Sequence, residues 1–248
     1  MGFWGFGVLG FWGIDVIDDL FLFGHHEGEF KVDVGKANAI SPNTGGWKFV
    51  KLNEDLMISG CYTGLNLYER SSNGNWDFKY KLRGFYESSR LIQVDEDNSI
   101  WVAHPYRGIF NLNLVPEQDS VVFKRYDSLD GLTSDLLNDV FKINEEVVFT
   151  SEKGVFHFDK ITNRFEPYFA FQDLIGKDCR VKELTEDADK NIWFAADDQV
   201  GMIHVKEKGL VKDFEVEYFP FLNDKLLGGF EMIAPIDNHN IFFGSDKG

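Results

Sequence analysis

The chain has 248 residues, 44% of them hydrophobic and 16% aromatic, with 41 acidic against 25 basic side chains and a formal charge of −16. That balance argues against nucleic-acid binding by this segment, which needs a basic patch for phosphates, and against docking on anionic lipid. The length allows one large core. The two cysteines, Cys61 and Cys179, form no C-x-x-C, so neither a structural zinc nor a thioredoxin-like site is expected.

The first 14 residues are apolar and glycine-rich, yet no Lys or Arg precedes Lys31. A charged leader region is therefore missing, and the run falls short of the roughly 17–25 residues that cross a bilayer. Residues 1–18, ending Gly13-Ile14-Asp15-Val16-Ile17-Asp18, are expected to be the remnant of a preceding repeat. His25-His26-Glu27 has metal-ligating side chains but no second ligand cluster to complete a site.

From Asp55 onward one unit recurs. Asp55-Leu56-Met57-Ile58-Ser59-Gly60 leads to Gly64-Leu65, and Leu91-Ile92-Gln93-Val94, an Asp/Asn turn and Ile100-Trp101-Val102-Ala103 lead to Gly108-Ile109. Glu146-Val147-Val148-Phe149-Thr150 leads to Gly154-Val155. Val181-Lys182-Glu183-Leu184, a second Asp/Asn turn and Ile192-Trp193-Phe194-Ala195 lead to Gly201-Met202. Met232-Ile233-Ala234, Asp237-Asn238 and Ile241-Phe242-Phe243 close at Gly248. The glycines at 64, 108, 154, 201 and 248 are 44, 46, 47 and 47 residues apart. A strand-built repeat of about 40–50 residues marks a β-propeller, one four-stranded blade per period. The fold class expected is all-β: a partial or open propeller of about five four-stranded antiparallel blades in a single domain over residues 1–248.

Each part of the unit has a physical role. Asp and Asn make tight turns because their side chains bond nearby backbone and tolerate left-handed dihedrals. The Ile-Trp-Val type strand is apolar on both faces and so belongs between neighbouring blades. Second strands are expected near 56–60, 100–103, 146–150, 192–196 and 241–244. Trp101, Val148, Trp193 and Phe242 should then be buried at equivalent inter-blade positions, with little helix anywhere. An arc of blades would leave an apolar face at each end for further blades or a second subunit. Asp187-x-Asp189-x-Asn191 and Asp95-x-Asp97 look like calcium loops but lack Gly at the sixth position and Glu at the twelfth. They are expected to be plain β-turns, and no metal or other cofactor is expected.

The unit resembles the two-component-regulator propeller repeat, in its acidic turn, "N-I-W-F/V-A" strand and "G-hydrophobic-x-hydrophobic" closure. The stretch from Tyr126 to Val140 resembles that family's "Y-x-x-x-D-G-L-x-S-N-x-x-N-x-V" connector, with Asp135 where Asn is usual. The resemblance covers roughly residues 55–248. It implies a non-catalytic, ligand-binding sensor segment of a membrane-anchored bacterial transcription regulator or hybrid histidine kinase. It also implies a periplasmic location, an oligosaccharide or other small-molecule ligand, and a membrane link only through flanking segments.

In a blade, the connector into the first strand and the turn between the second and third emerge on one face, where ligand sites favour loops carried by a rigid scaffold. The residues so placed are Arg90, Asn138 and Arg180 on connectors, and Tyr62, His104, Tyr106, Arg107, Glu152, Lys153, Asp197, Asp198 and Gln199 on turns. His104-Pro105-Tyr106-Arg107 offers an imidazole, a phenol and a guanidinium, suited to a sugar ring or an anion. Two other readings stay open. A protein-interaction scaffold would show an apolar loop face. A propeller lyase or hydrolase would bring acid and base groups together, with His104 and Glu152 the pair to nominate.

Overall fold

In a computed structural model, the structure describes residues 11–208, 211–229, 231–237 and 240–245. The chain is an all-β propeller of five four-stranded antiparallel sheets, each made of four consecutive strands, followed by a two-stranded hairpin. The first sheet holds β1 (Phe11–Ile17), β2 (Leu20–His25), β3 (Gly28–Asp33) and β4 (Lys36–Ala39), the second β5 (Gly46–Lys51), β6 (Leu56–Cys61), β7 (Gly64–Arg70) and β8 (Trp76–Lys81). The third holds β9 (Leu91–Val94), β10 (Ile100–His104), β11 (Gly108–Val115) and β12 (Ser120–Tyr126). The fourth comprises β13 (Asp139–Ile143), β14 (Glu146–Thr150), β15 (Val155–Asp159) and β16 (Arg164–Pro167). The fifth comprises β17 (Val181–Glu186), β18 (Ile192–Ala196), β19 (Gln199–Lys208) and β20 (Val211–Tyr218), and the hairpin pairs β21 (Ile233–Pro235) with β22 (Ile241–Phe243). The chain divides into two compact units: Met1–His104 with Phe110–Arg125, and Pro105–Ile109 with Tyr126–Gly248.

In the first unit the sheets stack through alternating residues. Leu22 of β2 meets Phe49, Met57, Tyr68 and Trp76 of the second sheet. The other face of that sheet puts Ile58, Leu65 and Leu67 against Ile92, Val94, Ile100, Val102, Phe110 and Leu112 of the third. At Gly24 the first two sheets come too close for a side chain: a Cβ there would overlap the Gly46 carbonyl and lie 2.8 Å from Trp47 N.

The second unit repeats the scheme. Phe141, Ile143, Val148 and Val155 meet Val181, Leu184, Ile192, Phe194 and Ala196, while Trp193 and Ala195, on the opposite face of β18, meet Ile233. Burial on both faces is what an uninterrupted apolar strand requires. The connector Tyr126–Val140 begins with a capped 3-10 turn. Asp127 Oδ1 accepts from Leu129 N at 2.9 Å, Asp130 Oδ2 accepts from Asp127 N at 3.0 Å, and Gly131 (φ 110°) turns the chain where a Cβ would strike the Phe165 carbonyl. Asp135 Oδ1 accepts from Ser128 N at 2.7 Å, a bond that the usual Asn could also make.

The second strands fall where the repeat places them, including β22, and Trp101, Val148 and Trp193 are buried. Four expectations need correction. The described part of residues 1–18 is not the tail of an earlier blade: Phe11–Ile17 opens a four-stranded sheet that runs to Ala39. Gly13 marks no turn, because it faces the Trp47 carbonyl inside β1; the turn glycine of that sheet is Gly28, whose φ is 152°. Gly201 lies within β19, and its turn is made by Asp197 in left-handed geometry (φ 48°). Phe242 is 61% exposed, since it points away from the Trp193 cluster on which its strand neighbours Ile241 and Phe243 pack. Gly248 lies outside the described residues. Helix α1 (Phe169–Ile175) follows β16 and buries Phe171 and Ile175.

Candidate functional site

Hydrogen bonds establish that turns and connectors share a face within each unit. In the first, Gly45 N donates to His26 O (2.9 Å) and Tyr62 N to Gly45 O (3.0 Å), so the 41–45 connector is laced to the β2–β3 and β6–β7 turns. The next connector is laced likewise, with Gly64 N to Glu87 O (2.9 Å) and Ser89 N to Cys61 O (3.0 Å).

This lacing gathers four side chains. His26 Nδ1 and Tyr62 Oη are 2.9 Å apart, and their rings lie 5.7 Å apart. Trp47 meets Tyr62 edge to face at 5.6 Å, and the Arg90 guanidinium carbon lies 5.6 Å from the Trp47 ring centre, within cation–π range. His26 is exposed and the other three are half-buried. Glu87 and His104 face each other at 3.9 Å in the same unit. Tyr62 and Arg90 come from the sequence reading; His26 and Trp47 do not. The signal for His26 was a turn position equivalent to Tyr62, hidden because the first sheet has no Asp/Asn turn followed by Ile-Trp. The neighbouring His25 is buried and its Nδ1 accepts from Glu27 N at 3.1 Å, so the two histidines do not make a ligand pair.

In the second unit, one connector joins two turns. Leu137 N donates to Pro105 O (2.8 Å) and Gly108 N to Asp135 O (3.0 Å), while Thr133 Oγ1 donates to Lys153 O at 2.8 Å. Tyr106, Arg107, Glu152 and Lys153 are exposed along it, Tyr106 at 71%. His104 and Glu152 belong to different units. Asn138 is fully buried, and among the described residues neither of its amide atoms has a hydrogen-bond partner. Arg180 N donates to Asp197 Oδ1 at 3.1 Å, and Asp197 and Gln199 line a cleft of about 270 Å³ with Lys182, Asp198, Asp224 and Glu231. Lys182 pairs with Glu231 at 3.8 Å and donates to the Asp197 carbonyl.

The Asp/Asn turns use their carboxylates on their own backbone. Asp187 Oδ1 accepts from Asp189 N and Asn191 N, each at 2.9 Å, and its Oδ2 accepts from Trp193 Nε1 at 3.0 Å. Asp97 Oδ1 likewise accepts from Ser99 N at 3.0 Å. Among the described residues no three His, Cys, Asp or Glu side chains cluster as metal ligands. Both cysteines are free thiols, and burial pushes Cys61 up to about 11. No helix of the described residues is long and apolar enough to cross a membrane.

No protein-family model and no curated protein sequence matches the chain. Solved structures do. The extracellular domain of BT4673 from B. thetaiotaomicron, assigned to a one-component system, superposes with a TM-score of 0.63 at 14% identity, over 98% of this chain and 38% of that one. The extracellular domain of the hybrid two-component system BT3049 from the same organism gives 0.63 at 15% identity, over 92% and 31%. Virginiamycin B lyase from Staphylococcus aureus gives 0.56 at 12% identity, over 94% and 76%. The chain thus spans little more than a third of the first of these, and what it shares with all three is the β-propeller fold.

Proposed function

We propose that this chain is the ligand-binding sensor segment of a bacterial signal-transduction or transcription regulator, held on the extracytoplasmic side and doing no chemistry itself. One observation carries the reading: His26 and Tyr62 from two turns, Arg90 from a connector and Trp47 from the start of β5 converge on the loop face of the first unit. Aromatic rings beside a guanidinium suit an oligosaccharide or a carboxylate-bearing small molecule, one stacking while the other donates paired hydrogen bonds. The likeness to extracellular domains of signalling systems agrees with this at the level of fold. Binding there shifts the packing of neighbouring sheets, and output modules elsewhere in the parent protein receive that shift. Its partners are further blades or a second subunit, seated on the face of the first sheet where Ile14, Val16 and Phe21 are each more than half exposed. The segment itself makes no nucleic-acid contact. Saturation-transfer NMR against a panel of neutral and acidic oligosaccharides tests the reading: the ligand's ring protons should receive saturation from the parent chain, less from Trp47→Phe, and none from Tyr62→Ala.

The likeness to a lyase gives a catalytic reading one nominee, the Glu87–His104 pair at 3.9 Å. Turnover of any panel member that His104→Ala abolishes would favour it.

A further inference from the structure

Beneath the loop-face cluster lies a carboxyl group that the ligand reading leaves unused. Glu29, the second residue of β3, is fully buried. It accepts from the hydroxyls of Ser59 on β6 and Tyr68 on β7, and from Asn66 Nδ2 on β7 at 2.7 Å. It therefore joins the first sheet to the second. Gly46 of β5 makes the space, since a Cβ there would overlap Glu29 Cγ. Asn66 in turn holds the connector: its Oδ1 accepts from Asn43 Nδ2 at 2.8 Å, and its Nδ2 lies 3.4 Å from Ser41 Oγ. The connector then delivers Trp47. At Gly45, bonded to His26 and Tyr62, a Cβ would run into the Tyr62 ring.

The titratable groups facing Glu29 are the Tyr68 phenol on β7 and the Cys61 thiol on β6. β5 presents Gly46, and His25 on β2 lies on the opposite face of the first sheet, against Phe30. Lys81 acts on Cys61 and donates to Thr63 Oγ1 at 2.6 Å. None of the groups bonded to Glu29 is a cation. Burial raises its pKa against the opposing pull of the hydrogen bonds from Ser59, Tyr68 and Asn66.

We propose that Glu29 is a positioning residue of the loop-face site, and that its acid form closes the joint between the first two sheets while its ionisation releases the Ser41–Gly46 connector and disperses the Trp47–Tyr62–His26 cluster. As an acid it donates its O–H from Oε1 to Ser59 Oγ, while Oε2 accepts from Asn66 Nδ2 and the Tyr68 hydroxyl. Ionised, with the proton gone to solvent, it is a buried charge without a counter-ion, and the joint opens to admit water. The inference rests on the cluster being the ligand site, which makes that site sensitive to pH.

The chain labelled with carboxyl-13C glutamate and 5-fluorotryptophan tests this without any ligand. The Glu29 carboxyl signal, identified by its loss in Glu29→Gln, should titrate above the ordinary glutamate value of 4.5. The Trp47 fluorine signal, identified by Trp47→Phe, should move with the same midpoint. It should stay fixed over that range in Glu29→Gln and still move in His26→Gln, which removes the neighbouring imidazole. If Glu29→Gln fails to fold, Tyr68→Phe serves: losing that donor should raise both midpoints together. Titration of Glu29 at or below 4.5 would overturn the proposal. So would a stationary Trp47 signal, one that moves unchanged in Glu29→Gln, or two midpoints that separate in Tyr68→Phe. Failure of oligosaccharides to bind would leave these results untouched.

Discussion

Trp101→Ala against Phe242→Ala is the sharpest probe of the packing, because the repeat makes these positions equivalent and the structure does not. Trp101 is 2% exposed and Phe242 is 61% exposed. A tryptophan removes about 150–250 Å² from water, which at about 25 cal/mol per Å² is roughly 4–6 kcal/mol. Measured losses for aromatic-to-alanine changes in cores run to about 3–5 kcal/mol, and that is the cost expected for Trp101→Ala. Phe242→Ala should stay within about 0.5 kcal/mol, as surface substitutions do. Urea unfolding followed by near-ultraviolet circular dichroism reads both, each unit's transition being fitted separately if the two do not coincide. A Trp101→Ala midpoint near that of the parent chain would refute the burial of Trp101 on β10. A Phe242→Ala loss as large as that of Trp101→Ala would refute the exposed hairpin.

Other expectations follow from single contacts. Gly24→Ala forces a methyl into the Gly46 carbonyl and should cost about 1–3 kcal/mol as overpacking does; Gly228→Ala, with open space around it and no left-handed backbone, serves as the control in thermal unfolding. Asp187→Ala removes the acceptor of two backbone N–H groups and the Trp193 indole; it should cost about 1–2 kcal/mol, the range of a lost turn or cap acceptor, and added calcium should move neither protein's melting temperature. Stability should also depend on pH through buried Glu29 and half-buried Asp15, both with pKa values raised by desolvation. Their folded forms favour the proton, so this contribution is whole below the unfolded values of 4.5 and 3.8 and is lost as pH rises through the raised ones. Glu29→Gln should flatten that decline in urea titrations across pH; an unchanged slope would contradict the buried acid.

The repeat was legible because its turns are chemical. Asp187 and Asp97 hold their own backbones, and Ile-Trp-Val or Ile-Trp-Phe is apolar on both faces. The first sheet was not legible, since it turns at His26-Glu27 with Gly28 and combines the packing of Leu22 with close backbone approach at Gly13 and Gly24. Helix α1 was missed because Phe169-Ala170-Phe171 continues the aromatic pattern of a strand, and tertiary burial of Phe171 and Ile175 decides otherwise. The shared face of turns and connectors followed from topology alone, so Tyr62 and Arg90 were within reach. That Trp47 joins them depends on the path of the 41–46 connector and its anchorage on Asn66, which no local pattern encodes.

Calorimetric titration of an oligosaccharide selected by the NMR panel tests the loop-face site most directly, using the parent chain, Tyr62→Ala with Arg90→Ala, and Tyr106→Ala with Arg107→Ala. Saturable binding should weaken at least tenfold in the first pair, about 1.4 kcal/mol, with thermal midpoints of all three proteins close together. Binding that survives the Tyr62 and Arg90 substitutions unchanged, or is lost only with Tyr106 and Arg107, would contradict a ligand site on the first unit.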